Sequence, residues 1–139
     1  MMLEYLLDTN IVSEFMRPKP NPKILARFKQ HKDEIAIPAV GWHELWYGVK
    51  RLEPSQKQEM LEAFLEQVLA PSVAVLPYDA RAAEWHAAER ARLTRLGKIP
   101  PFADGQIAAI AYVNDLILVT LNTADYENFQ ELQVQDWSA

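Results

Sequence analysis

The chain has 139 residues, half of them apolar and only four glycines, which is enough for one ordinary globular domain spanning 1–139 with a sizeable buried core. Without a cysteine there is no disulfide framework, thiol nucleophile or thiolate metal site, so oxygen ligands or the three histidines, His31, His43 and His86, must hold any metal. The formal charge of −5 argues against a nucleic-acid binder held by bulk positive charge, and no apolar run approaches the roughly 20 residues of a membrane span, so a cytoplasmic protein without a membrane partner is the expectation.

EYLL (4–7) reads as a first strand and runs directly into Asp8, Thr9 and Asn10, all good helix caps. Asn21-Pro22 looks like a cap followed by proline in the first helical turn, with Ile24, Leu25 and Phe28 as the buried stripe. EIAI (34–37) is a second strand, and Trp42, Leu45, Trp46 and Val49 after it repeat at helical spacing. Past the breaker Glu53-Pro54, Met60, Leu61, Phe64, Leu65, Val68 and Leu69 do the same, which makes a helical hairpin. VAVL (73–76) is a third strand, and helices follow over about 79–96 and 103–114, separated by Gly97 and Pro100-Pro101. LILVTL (116–121) and LQVQ (132–135) close the set. The second, third and fourth strands are apolar on both faces or nearly so. Strands alternating with helices predict a three-layer α/β/α sandwich on a mostly parallel central sheet of about five strands.

In such sheets ligands bind beyond the carboxyl ends of the strands, near the point where the strand order reverses. Asp8 has that address, and Asp125 follows the apolar strand LILVTL through the turn NTADY. Asp104 falls in the first turn of a helix, where the macrodipole favours a carboxylate by a few tenths to about 1 kcal/mol. Glu44 lies a turn or so into the helix after EIAI, away from the tryptophan stripe and flanked at i−3 and i+4 by Gly41 and Gly48. Two helical glycines cost roughly 1 kcal/mol each against alanine. They either clear space around a working carboxylate or mark a loosely packed turn with an exposed Glu, and spacing leaves both readings open.

Two carboxylates about 5 Å apart at an effective dielectric of about 20 repel by roughly 3 kcal/mol. Four acids brought together therefore need protons or a cation, and oxygen-only ligation suits Mg²⁺ or Mn²⁺, ions that activate water and stabilise charge in phosphodiester cleavage. The basic residues gather in two stretches, and Arg17, Lys19, Arg90 and Arg92 are candidates for RNA phosphate contacts on charge alone. No Gly-rich phosphate loop or GxSxG offers competing chemistry.

LLDTNIVSE (6–14), the HEL of WHELWYGV, ADGQIAAIA (103–111) and LVTLNTADYE (118–127) resemble, in order and approximate spacing, the blocks of PIN-domain ribonucleases, specifically the VapC-type toxins of type II toxin-antitoxin systems. The resemblance implies that Asp8, Glu44, Asp104 and Asp125 are the catalytic acids holding Mg²⁺ or Mn²⁺, with Thr9, Asn10, Ser13, Thr120 and Asn122 as supporting polar residues. It further implies endonucleolytic cleavage of RNA, a homodimer, and neutralisation by a VapB-type antitoxin gripped in part by the helical hairpin, where Trp42, Trp46 and Phe64 are interface candidates. Core packing is an equally good reading of the two tryptophans. Leu121 and Gly41 depart from the family's frequent arginine and hydroxyl residue at those positions. The alternatives are a PIN nuclease of RNA processing outside any toxin system, and an inactive PIN-like interaction module. A HAD-like phosphatase also begins strand-Asp, but needs a second Asp two positions on, where this chain has Asn10.

Overall fold

The computed structural model describes residues 2–139. Its sheet has five strands, all parallel: β1 (Tyr5–Leu7), β2 (Ile35–Pro38), β3 (Ala74–Leu76), β4 (Ile117–Val119) and β5 (Val134–Gln135), in the order β3-β2-β1-β4-β5. The chain steps outward from β1 through β2 to β3, then returns to the other side of β1 for β4 and β5. The order therefore reverses between β1 and β4, which pair Tyr5 to Ile117 and Leu7 to Val119. That crevice is where a doubly wound sheet binds ligands.

Side chains of successive strand residues point to opposite faces. Tyr5, Leu7, Ile35 and Ile37 enter one core, under α1 (Thr9–Val12), α2 (Pro22–Gln30), α3 (Ala39–Lys50) and α4 (Gln56–Ala63). Leu6, Ala36 and Leu118 enter the other, under α5 (Ala80–Arg95) and α6 (Phe102–Val113). The three-layer α/β/α expectation holds, and every strand pair is parallel. No helix among the described residues is long and apolar enough to cross a membrane.

The local signals explain most boundaries. Asn21 caps α2, its Oδ1 accepting from Lys23 N at 2.9 Å, with Pro22 next in the first turn. Asp79 caps α5 by accepting from Ala82 N at 2.9 Å. Gly97, at φ +69°, ends the loop side of α5 in the left-handed region glycine tolerates. The helical hairpin is α3 and α4, with α4 widening into a π-helical segment over Phe64–Leu69.

Three expectations are corrected. LILVTL does not stay extended to residue 121: the strand stops at Val119, Thr120 N still donates to Gln135 O at 3.0 Å, and Leu121 N leaves the sheet to donate to Asn10 Oδ1 at 3.2 Å. LQVQ shrinks to Val134–Gln135, since Glu131 adopts a positive φ of 59° just before it. VAVL is an edge strand, and Val75 is exposed rather than covered on both sides.

Candidate active site

Asp8 ends β1 and is 8% exposed. It is itself the N-cap of α1, so neither Thr9 nor Asn10 caps that helix: Asp8 Oδ1 accepts from Thr9 N at 2.7 Å. Its other oxygen, Oδ2, accepts from Thr120 Oγ1 at 2.9 Å and from the Tyr126 hydroxyl at 3.2 Å. The cap residue and the cleft carboxylate are the same group. Thr120, directly after β4, is a hub: its hydroxyl donates to Asp8 and accepts from Asn122 N at 3.1 Å and from Asn10 Nδ2 at 3.4 Å. Asn10 spans the crevice, since its Oδ1 holds Leu121 N. Ser13 supports Asn10 from behind, donating to its carbonyl at 3.3 Å. Thr9, Asn10, Ser13, Thr120 and Asn122 thus form one network around Asp8, with Thr9 and Asn122 joining through their backbone N–H groups.

Asp104 reaches the same place from the first turn of α6. Burial, then the charges of Asp8 and Asp125, raise its carboxyl above the ordinary aspartate value, and the nearby Tyr126 hydroxyl partly opposes the rise. Asp125 lies on the short 3-10 turn Thr123–Tyr126 and is exposed. Tyr126 is 2% exposed, and burial together with the charges of Asp8, Asp104 and Asp125 pushes its hydroxyl far upward, so it serves only in the neutral form. Three predicted acids therefore share one electrostatic neighbourhood.

Glu44 stands apart from them. Its side chain is 55% exposed on α3, with Oε1 3.5 Å from His43 Nδ1. The glycines beside it do not clear room for it. A β-carbon on Gly41 would come 3.0 Å from Thr9 Oγ1, so this glycine lets α3 pack against the Asp8 turn, and Gly48 faces open space. Glu44 sits one helical turn beyond that Gly41–Thr9 contact.

Among the described residues no three carboxylate or imidazole groups are drawn close enough to enclose an ion as they stand. The donor set is nonetheless of the right chemistry: hard oxygens only, one of them the buried Asp8, with Asp104 crowded by like charge that a cation would relieve.

The basic residues divide. Arg92 is committed to the fold: its guanidinium makes two hydrogen bonds to Glu89, at 2.8 and 2.9 Å, and one to Asn128 O, which takes it off the list of RNA contacts. Arg90 is exposed and lies over the Phe102 ring, 5.3 Å from its centroid, beside the start of α6. Arg17 is exposed and pairs with Glu14 at 3.3 Å, and Lys19 is exposed on the following loop. Trp42 and Trp46 are partly buried against the core, edge to face with one another, whereas Phe64 lines an apolar groove of about 240 Å³ with Phe15, Leu25, Phe28 and Val68.

Two features escaped the sequence reading. Tyr126 stands between the acids, and its only signal was an aromatic hydroxyl directly after Asp125. Gly105 follows Asp104, and a β-carbon there would overlap the His86 imidazole, so α5 and α6 touch where glycine allows it. His86 is buried, its Nδ1 2.7 Å from the Tyr78 hydroxyl.

The family model of the PIN domain matches residues 5–132. The chain is 35% identical to the tRNA(fMet)-specific endonuclease VapC of Shigella flexneri, over 99% of this chain and all of that protein. It is likewise 35% identical to the toxin FitB of Neisseria gonorrhoeae, over 87% of this chain and 89% of FitB. The crystal structure of DNA-bound VapBC from Salmonella typhimurium contains a chain that superposes with a TM-score of 0.86 at 31% identity, covering 98% of this chain and 99% of that one.

Proposed function

This chain belongs to the PIN-domain family, and from that premise we propose that it is a metal-dependent endoribonuclease, the toxin of a toxin-antitoxin pair, working as a homodimer in the cytoplasm. The observation that supports the reading most is the placement of Asp8, Asp104 and Asp125 in one electrostatic neighbourhood at the reversal point of the sheet, a charge arrangement that costs stability and has a use if a cation is to be met there. Mg²⁺ or Mn²⁺, held by these three acids and by Glu44, would supply an activated water and charge stabilisation at the scissile phosphate.

The protein's own residues set the stage for that chemistry. Oδ2 of Asp8 is occupied by two donors, so Oδ1 is the oxygen with a lone pair left to offer. Asp104 is held in the first turn of a helix whose free N–H groups favour its ionised form. Arg90, with Phe102 under it, and Arg17 with Lys19 lie on exposed surface suited to the RNA backbone. The apolar groove between α2 and the π-helical segment, which includes Phe64, is the surface we assign to the apolar face of a VapB-type antitoxin segment.

The double substitution Asp8→Asn with Glu44→Gln tests the reading. It should abolish metal-dependent cleavage of RNA and growth inhibition while leaving the fold and antitoxin binding intact. Toxicity equal to the parent's refutes the site, and loss of antitoxin binding refutes the separation of the two surfaces. Transfer RNA is the first substrate to assay, because the Shigella relative is named for it.

A further inference from the structure

The Asp8 carboxylate has four lone-pair sites, and the fold fills three of them. Thr9 N takes one on Oδ1, while Thr120 Oγ1 and the Tyr126 hydroxyl both take Oδ2, at 2.9 and 3.2 Å. Tyr126 comes from the short turn after β4, where the charge of Asp104 on α6 also acts on it, so its hydroxyl fixes Asp8 at the point where the acids of β1 and α6 approach. The ring carrying that hydroxyl is fully packed, with Phe129 beside it at 6.2 Å between centroids, and cannot swing aside without opening the core. A tyrosine at this position is costlier to bury than phenylalanine unless its hydroxyl has a task.

We propose that Tyr126 is a positioning residue that makes Asp8 a one-oxygen ligand and thereby selects small octahedral cations over calcium. This rests on the metal-dependent reading of the site. With Oδ2 closed by two donors, only Oδ1 is open toward an ion, and a single oxygen per carboxylate fits the tight octahedral shell of Mg²⁺, or of Mn²⁺ in the same kind of site. Ca²⁺ is larger and gains from carboxylates that bind through both oxygens. Removing the hydroxyl has two effects of opposite kind. It frees a lone pair on Oδ2, which opens two-oxygen binding to the larger ion. It also loosens Asp8, and a lost partner of a ligating carboxylate costs about 10- to 100-fold in metal affinity.

The test is calorimetric titration of Mn²⁺ and Ca²⁺ into the metal-free parent, Tyr126→Phe and Thr120→Val, with circular dichroism to confirm the fold. Tyr126→Phe should weaken Mn²⁺ binding about tenfold while leaving Ca²⁺ binding about unchanged, so the Mn²⁺/Ca²⁺ preference falls by about tenfold. Thr120→Val removes the other donor to the same oxygen and should move the preference in the same direction, which keeps the test decisive if the phenylalanine variant folds poorly. An unchanged preference in the folded variants, or equal weakening of both ions, overturns the role of Tyr126 while leaving the nuclease reading standing. A parent that binds no Mn²⁺ overturns both.

Discussion

Replacing Asp104 with Asn keeps the shape of the side chain and removes its charge, so it reads what burial and then the neighbouring acids cost that carboxylate. Like charges about 6 Å apart interact by roughly 3 kcal/mol at an effective dielectric of about 20. Asp125 is exposed and contributes a fraction of that, and the Tyr126 hydroxyl offsets part of the repulsion from Asp8. Against the gain stands the first-turn position of Asp104 in α6, which favours a carboxylate by up to about 1 kcal/mol. The net expectation without metal at neutral pH is a stabilisation of about 1 kcal/mol, or roughly 3–4 °C in Tm for a chain of this length. The sign with pH follows from the raised carboxyl. Below the ordinary value of 3.8 the parent's Asp104 is protonated in both states and the variant gains nothing; as pH rises through the window up to the folded-state value, the parent loses stability relative to the variant, and the difference is full above it. Saturating Mn²⁺ should reverse the order, since an ion at 100 times its Kd stabilises the parent by about 2.7 kcal/mol and the variant by less. Thermal melts in chelator and in Mn²⁺, from about pH 4 to pH 8, read both effects. A variant that melts at or below the parent in chelator at neutral pH refutes the account of Asp104 as a charge held at a cost.

Gly105→Ala drives a β-carbon into the buried His86 ring and should cost about 1–3 kcal/mol, with cleavage lost beyond what the destabilisation explains because the first turn of α6 carries Asp104; denaturant midpoints and single-turnover cleavage on the folded protein check this. Burial, and then Arg90, depress His86 below its ordinary 6.5, so the unfolded chain takes up a proton that the folded one refuses, and stability should fall as pH drops below 6.5; His86→Gln should flatten that slope in denaturant titrations, and an unchanged slope refutes the assignment. Arg90→Glu, made in the cleavage-dead background, should weaken RNA binding and reduce the slope of log affinity against log salt by about 1, whereas Arg92→Glu should lower Tm through the lost Glu89 and Asn128 contacts.

The fold was legible because its signals are local and periodic. Asn21-Pro22 announced its helix through a side chain that reaches only two or three residues along the chain. The apolar runs announced strands, and their alternation with helices announced a parallel sheet. Strand ends were read less well for the opposite reason. LILVTL looks extended to residue 121, but Leu121 N is claimed by Asn10, more than a hundred positions away in sequence. Val75 reads like any core valine, and only the strand order reveals that it lies on an edge.

The same contrast governs the site. Asp8, Asp104 and Asp125 could be named in advance because a parallel sheet dictates where its strand and helix ends meet, so position in the pattern stood in for position in space. Glu44 was expected among them because the HEL block resembles the family's, its neighbouring glycines leaving the matter open; Gly41 serves the contact with Thr9, and the Glu44 side chain is 55% exposed. Tyr126 was invisible for a deeper reason: a buried aromatic after a turn has an ordinary core role until its hydroxyl is seen to hold Asp8. What separates the two kinds of residue is cost. An acid held near other acids, or a hydroxyl buried where a hydrogen would pack as well, is a departure from the most stable sequence for this backbone. Both departures meet at Asp8, where the helix cap, the strand end and three donors are all spent on fixing one carboxylate. A chain that needed only to fold would have closed that crevice with an apolar side chain.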